Sequence, residues 1–236
     1  HYTEASALGI KARVLLTQQK YAEAGDMAVR AIEAAKAMGR DIMKPDELMN
    51  GFSDLSTKTK EPIYAALTQD DQTVYFYSFY AYMSWNFNSS SVRTGIKCIN
   101  QETYDRMSPT DLRRQWWDPT GKAAVPAKSY SQRPYQNRKF TARATSNAVG
   151  DFTFMRMSEL YLMAAEAYAR AGQEAKAKEY FDALMVNRDT AYTTTSNTGA
   201  ALIEEIMDSR RSELWGEGFR WFDLKRLNLP IHRGGS

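Results

Sequence analysis

Cysteine is nearly missing from this sequence: Cys98 is the single copy in 236 residues. An internal disulfide framework and a thiolate-rich zinc site are therefore excluded, and a lone thiol reads as a small apolar interior residue. Histidine is almost as scarce, its two copies being His1 and His232 near opposite ends of the chain. Nucleophile and base systems built on imidazole have no material here, and no His/Asp/Glu cluster has zinc-ligand spacing. No apolar run approaches the roughly 20 residues that span a bilayer, and no Gly-rich phosphate loop ends in Lys-Ser/Thr. A formal charge of +3, spread along the chain, forms no stripe for nucleic acid. A carboxylate pair for glycoside hydrolysis leaves no spacing signature, because its separation is spatial. What remains, 43% hydrophobic and 25% charged, is ordinary for a globular body. The reading is a protein without cofactor or catalytic centre.

Alanine-rich stripes supply the first positive signal. Ala5, Leu8, Ala12, Leu15 and Leu16 fall on one helical face, and after a break at Lys20-Tyr21 a second stripe runs through Ala24, Ala28, Ala31, Ile32 and Ala35. Such small residues let two antiparallel helices approach closely, as in tetratricopeptide-like pairs. Another pair is expected near 155–190, with Met157, Leu160, Tyr161, Ala164, Ala165 and Tyr168 on its first helix and Ala177, Phe181, Leu184 and Arg188 on its second. Sliding the chain against itself superposes Ala12 on Ala165, Ala22 on Ala175, Ala24 on Ala177 and Ala28 on Phe181. The two pairs read as diverged copies of one unit, which buries its faces only against neighbours.

Between them, residues 41–154 lose helical periodicity and gain Pro, Gly, Ser, Thr, Asn and aromatics. Pro62-Ile63-Tyr64-Ala65-Ala66-Leu67 is strand-like, and the alternation of Tyr75, Tyr77 and Phe79 describes another strand against the core. A structureless stretch of that length is unusual, so it is expected to be ordered on the helical scaffold and to carry any binding site. Trp116-Trp117, before the turn Asp118-Pro119-Thr120-Gly121, reads as packing. Tyr130, Arg133 and Tyr135 are weaker rim candidates in a second polar loop.

Leu202, Ile203, Ile206 and Leu214 then recur at helical spacing into Arg210-Arg211-Ser212-Glu213-Leu214-Trp215-Gly216-Glu217-Gly218-Phe219-Arg220-Trp221-Phe222-Asp223-Leu224-Lys225-Arg226. Arg210 with Glu213, and Arg220 with Asp223, stand three apart and would pair on a helix surface. Together with Phe154-Met155-Arg156-Met157-Ser158-Glu159-Leu160-Tyr161-Leu162-Met163-Ala164-Ala165-Glu166-Ala167, this segment resembles the signature of the SusD/RagB family, the outer-membrane nutrient-binding lipoproteins. Weaker matches at Ala12-Arg13-Val14-Leu15-Leu16, Tyr104-Asp105, Leu112-Arg113-Arg114 and Arg138-Lys139-Phe140 follow in family order.

The resemblance implies a mainly α fold, a SusD-like superhelix of tetratricopeptide-like pairs with a long loop-rich, partly β insertion. One domain over 1–236 is expected: a helix pair at 1–40, the insertion at 41–154, a pair at 155–190 and signature helices at 200–230. It further implies helical repeats before residue 1 and chain beyond residue 236, so that this sequence is roughly the C-terminal half. The implied role is non-catalytic capture of an oligosaccharide, or of a peptide as in the RagB branch. Capture would occur at the outer-membrane surface, for a SusC-like TonB-dependent transporter. The membrane link would be an N-terminal lipid anchor not present in this sequence. A helical scaffold binding only protein is the rival of another class.

The family's glycan contacts lie on variable loops, so candidate residues come from local chemistry. Sugars need flat rings for their C–H faces and amides or charges for their hydroxyls, since a buried unpaired polar group is expensive. The richest such mixture ends the aromatic run, and selects Tyr80, Tyr82, Trp85, Asn86, Asn88 and Arg93.

Overall fold

A computed structural model of the chain describes residues 2–49, 52, 54, 58–71, 77–122, 132–144 and 147–231. Among the described residues the order is α1 (Glu4–Thr17), α2 (Tyr21–Ala37), β1 (Pro62–Ala66), α3 (Phe79–Met83), α4 (Ser90–Thr94) and α5 (Gln101–Asp105). It continues with β2 (Trp117–Asp118), β3 (Gln136–Asn137), β4 (Phe152–Arg156), α6 (Met157–Arg170), α7 (Glu174–Met185), α8 (Gly199–Glu213) and α9 (Phe219–Arg226). The body is mainly helical, and none of these helices is long and apolar enough to cross a membrane.

The two long pairs turn in the same way. At the end of α1, Gln19 sits in the left-handed region (φ 60°), with Gln19 N–H donating to Leu16 O at 3.1 Å and Lys20 N–H to Leu15 O at 2.9 Å. At the end of α6, Gly172 (φ 74°) donates to Ala169 O at 3.1 Å and Gln173 N–H to Tyr168 O at 2.8 Å. Both are Schellman motifs, and Gln19 superposes on Gly172 under the same slide that aligns the alanines. A non-glycine residue in this conformation costs roughly 1 kcal/mol. The Gln19 side-chain amide offsets part of that by donating to Arg226 O at 3.0 Å.

Helix α6 is the axis of the body. The sequence pattern suggested one apolar face, yet every residue from Met157 to Ala169 is buried. The reason is that α2, α7 and α8 enclose it, with α1 closing one end. Small residues permit this closeness: a Cβ on Gly25 would stand 2.8 Å from the Tyr168 ring. Burial on all sides forces the two carboxylates of α6 to find cations. Arg13 Nη2 reaches Glu159 Oε2 at 2.6 Å, and Arg226 grips both oxygens of Glu166 at 2.7 Å.

The 41–154 region has a core of its own. β1 pairs antiparallel with β4 (Pro62 opposite Arg156, Ala66 opposite Phe152, with a bulge between), and β2 pairs with β3. Ile63 of β1 and Met155 of β4 join the helical core, while Phe52, Tyr80, Phe87, Trp116, Trp117 and Phe140 form the second one. Trp116 is fully enclosed, its indole N–H donating to Leu48 O at 2.7 Å and its ring meeting Phe52 edge-on at 5.5 Å. The expected strand at 75–79 is corrected in part. Residues 72–76 lie outside the described residues, and Tyr77 is 80% exposed. The Ser78 hydroxyl accepts from Ala81 N–H at 3.1 Å, so Phe79 opens a helical turn instead. Cys98 is half-buried rather than interior.

Between the helical core and this second core lies a closed set of charges. Arg113, Lys139, Arg156 and Arg188 face Glu61, Asp111, Glu213 and Glu217 in one connected network, four cations against four carboxylates, with no side chain more than 4% exposed. Glu213, at the end of α8, holds Arg156 at 2.7 Å, Arg188 at 2.9 Å and Arg113 at 3.3 Å. Burial alone would raise the Glu213 carboxyl, but Arg188, Arg156 and Arg113 outweigh it and hold it well below the usual range. Glu217 is likewise held down, against its burial, by Arg156 and Lys139. The Lys139 ammonium lies 4.7 Å from both the Phe52 and Trp116 rings, and burial pushes it down to about 8 despite Glu217 at 2.6 Å.

Candidate functional site

The segment selected from sequence divides into frame and surface. Tyr80 belongs to the frame: it is 2% exposed, and its hydroxyl donates to Phe52 O and lies 2.9 Å from Asp151 O. Asn86 is also buried, its amide locked to one backbone residue in both directions, Nδ2 to Ala142 O at 2.9 Å and Oδ1 from Ala142 N–H at 2.8 Å. These two residues present nothing to a ligand.

The other four reach the surface. Tyr82, on the far side of the α3 turn from Tyr80, is 44% exposed. Trp85 is half-buried; its indole N–H donates to Thr141 Oγ1 at 2.9 Å, and the Arg138 guanidinium lies over the ring at 4.9 Å. Asn88 Oδ1 accepts from Arg93 Nη1 at 2.9 Å, which joins α4 to the loop before it. The depression shared by Tyr82 and Trp85 encloses only about 10 Å³. That is room for a single water at most, so no enclosed pocket forms beside the two rings. Of the weaker candidates, Tyr130 lies outside the described residues and Arg133 is exposed, while Tyr135 packs edge-on against Tyr104 at 5.2 Å.

Larger concavities lie elsewhere. A cleft of about 1040 Å³ opens between residues 96–103 and the α8–α9 corner, lined by Lys97, Arg211, Trp215, Arg220 and Trp221. It adjoins the depression beside Tyr82 and Trp85, because Met83, Ile96 and Lys97 line both. A second, of about 610 Å³, has Phe152, Phe154, Phe219 and Phe222 in its walls. A third, of about 410 Å³, lies beside α7 and α8 and is bordered by Arg106, Asp111 and Asp208. Sequence reasoning did not include the first cleft, although its signal was present in the aromatic and cationic density of the 210–226 segment.

The pairings of that segment differ from those its spacing suggested. Arg210 bonds Asp223 at 2.9 Å instead of Glu213, and Asp223 also takes Arg226 at 2.8 Å. Tertiary neighbours, richer in partners than one helix turn, decide these pairs. Among the described residues no group of His, Cys, Asp and Glu has the geometry to hold a metal ion.

Comparison with known proteins fits this architecture. A SusD-like carbohydrate binding protein from Bacteroides vulgatus ATCC 8482 is 26% identical and superposes with a TM-score of 0.80, covering 100% of this chain and 47% of its own. A SusD superfamily protein from Bacteroides thetaiotaomicron VPI-5482 superposes at 0.81 with 21% identity, over 98% of this chain and 51% of its own. Surface glycan-binding protein A from Bacteroides thetaiotaomicron follows at 0.66 with 19% identity, over 96% and 55%. The chain thus spans about half the length of these structures. No curated protein is similar enough to count as a match. The family model described as the SusD family matches residues 15–232, and the chain belongs to that family.

Proposed function

We propose that this protein binds an oligosaccharide without transforming it, at the cell surface, and passes it to a TonB-dependent outer-membrane transporter. Tyr82 and Trp85 receive sugar faces on an open platform, and Asn88 and Arg93 supply polar contacts to hydroxyls. What supports the reading is a pair of partly exposed rings, Tyr82 and Trp85, next to buried, hydrogen-bonded neighbours, in a chain of the SusD family whose fold matches a SusD-like carbohydrate binding protein. Tyr80 and Asn86 act indirectly, fixing the backbone on either side of Tyr82 and Trp85 through their buried hydrogen bonds.

The energetics favour a long ligand. A sugar ring that removes about 40 Å² of apolar area at roughly 25 cal/mol per Å² contributes on the order of 1 kcal/mol. Two rings therefore fall short of the ~4 kcal/mol that even millimolar affinity requires, so polar contacts and further subsites must add to them. The test is calorimetric titration of the full chain with neutral oligosaccharides of graded length, comparing Tyr82→Ala and Trp85→Ala. Each variant is expected to bind about 5-fold more weakly, the equivalent of ~1 kcal/mol, with an unchanged melting temperature for Tyr82→Ala and a modest fall for Trp85→Ala, which loses the contacts to Thr141 and Arg138. Unchanged affinity in both would remove the platform, and binding of extended peptides in place of sugars would move the reading to peptide capture.

A further inference from the structure

The cleft at the α8–α9 corner contains unanswered donors. Arg220 makes no hydrogen bond or ion pair among the described residues, and its Nη1 is buried without a partner. Arg211 Nε and Arg210 Nη1 are also buried without a partner at the same corner, although Arg211 pairs with Asp208 at 3.2 Å and Arg210 with Asp223 at 2.9 Å through their other nitrogens. Lys97, Arg210, Arg211 and Arg220 line the cleft against one carboxylate, Asp223, which is already engaged by Arg210 and Arg226. Buried charged donors left unsatisfied are costly, and native structures keep few of them without a purpose. Burial, and after it the neighbouring Arg211, pull the Arg220 guanidinium below its ordinary value, against the opposing pull of Asp223 and Asp208. Such a place attracts an anion.

Its walls also suit a particular kind of anion. Trp215 is half-buried, braced edge-on by Trp117 at 5.8 Å, and Trp221 is 51% exposed. Indole surfaces beside a guanidinium fork match a group with an apolar face and a planar carboxylate, since the fork pairs carboxylates through two parallel hydrogen bonds. The cleft also adjoins the depression beside Tyr82 and Trp85, with Met83, Ile96 and Lys97 lining both. One chain could occupy both.

We propose that this cleft is a subsite for an acidic sugar, in which Arg220 takes the carboxylate, Lys97 and Arg211 provide the surrounding positive charge, and Trp215 and Trp221 line the ring's position. The inference rests on the sugar-binding reading above and narrows it to carboxylated oligosaccharides. It gives the 210–226 segment a recognition role beside its structural one.

The experiment compares oligogalacturonate with the same oligomer methyl-esterified, which keeps the shape and removes the charge. The native full chain is expected to bind the acid about ten-fold more tightly, the worth of one charge-assisted hydrogen bond, with the advantage shrinking at high salt. Arg220→Gln should bring the ratio close to one while affinity for the ester stays within two-fold, and Arg220→Lys should restore part of it. Equal binding of acid and ester by the native chain would overturn the subsite while leaving the platform intact. So would a ratio that Arg220→Gln leaves unchanged while the melting temperature falls by several degrees, the mark of a corner covered by further polypeptide. Failure of every neutral, esterified and acidic oligomer to bind would sink the parent reading instead.

Discussion

Removing the Glu213 charge by Glu213→Gln is the sharpest test of how this protein is held together. The carboxylate is completely enclosed and answers three guanidiniums, those of Arg113, Arg156 and Arg188. Glutamine keeps the shape, but the network then holds four cations against three carboxylates, and an amide donor is turned toward groups that only donate. Breaking a buried pair costs about 3–5 kcal/mol, because the stranded charge remains out of water. At roughly 2–4 °C per kcal/mol for a chain of this size, the melting temperature should fall by about 6–20 °C. Arg106→Ala provides the contrast. Arg106 also touches three carboxylates, Glu102, Glu204 and Asp208, but its side chain is 39% exposed. Such pairs are worth under ~1 kcal/mol each and are screened by salt. Circular dichroism melts at low and high ionic strength measure both. Equal shifts for the two variants would refute the reasoning, since burial and not the number of partners is held to set the cost.

Stability should respond to pH at two ends with the same sign. The depressed Glu213 and Glu217 carboxyls contribute stability in full above about pH 4.3, the unfolded value, and lose it as pH falls through their lower folded values. Lys139, lowered to about 8 from 10.5, is more protonated in the unfolded chain between those values, so its contribution rises with pH across that window and is lost as pH falls through 8. Urea midpoints of the native chain and Lys139→Gln from pH 7 to 10 check the second; an advantage of the native chain that shrinks toward pH 10 would contradict it. Tyr80→Phe removes the donor to Phe52 O and the hydroxyl beside Asp151 O, and should cost about 1–3 kcal/mol while weakening ligand affinity less than Tyr82→Ala does. A variant of normal stability and weakened binding would return Tyr80 to the site.

The helical half was legible in the sequence because its message is local. Alanines at 3.6-residue spacing and the break at Lys20-Tyr21 specify helices and a turn, and the match of Gln19 to Gly172 extends the repeat to backbone geometry. The 41–154 region yielded its composition, the strand at Pro62 and the packing of Trp116-Trp117, and little else. Tyr80 and Tyr82 are alike in chemistry, and which of them faces inward depends on the helical turn started by Ser78, amid residues whose alternation also describes a strand. The ion pairs were least legible: Arg13 meets Glu159, and Arg156 meets Glu61, Glu213 and Glu217, across separations that no sequence window contains.

The balanced charge set has a consequence for how such a protein diversifies. Its members are drawn from position 61 to position 217, so neither hydrophobic nucleus can come away from the other without leaving an ion stranded. The joint therefore behaves as an all-or-none lock. Segments that contribute nothing to it, the loop bearing Tyr82 and Trp85 among them, are free to change in sequence while the lock stays shut.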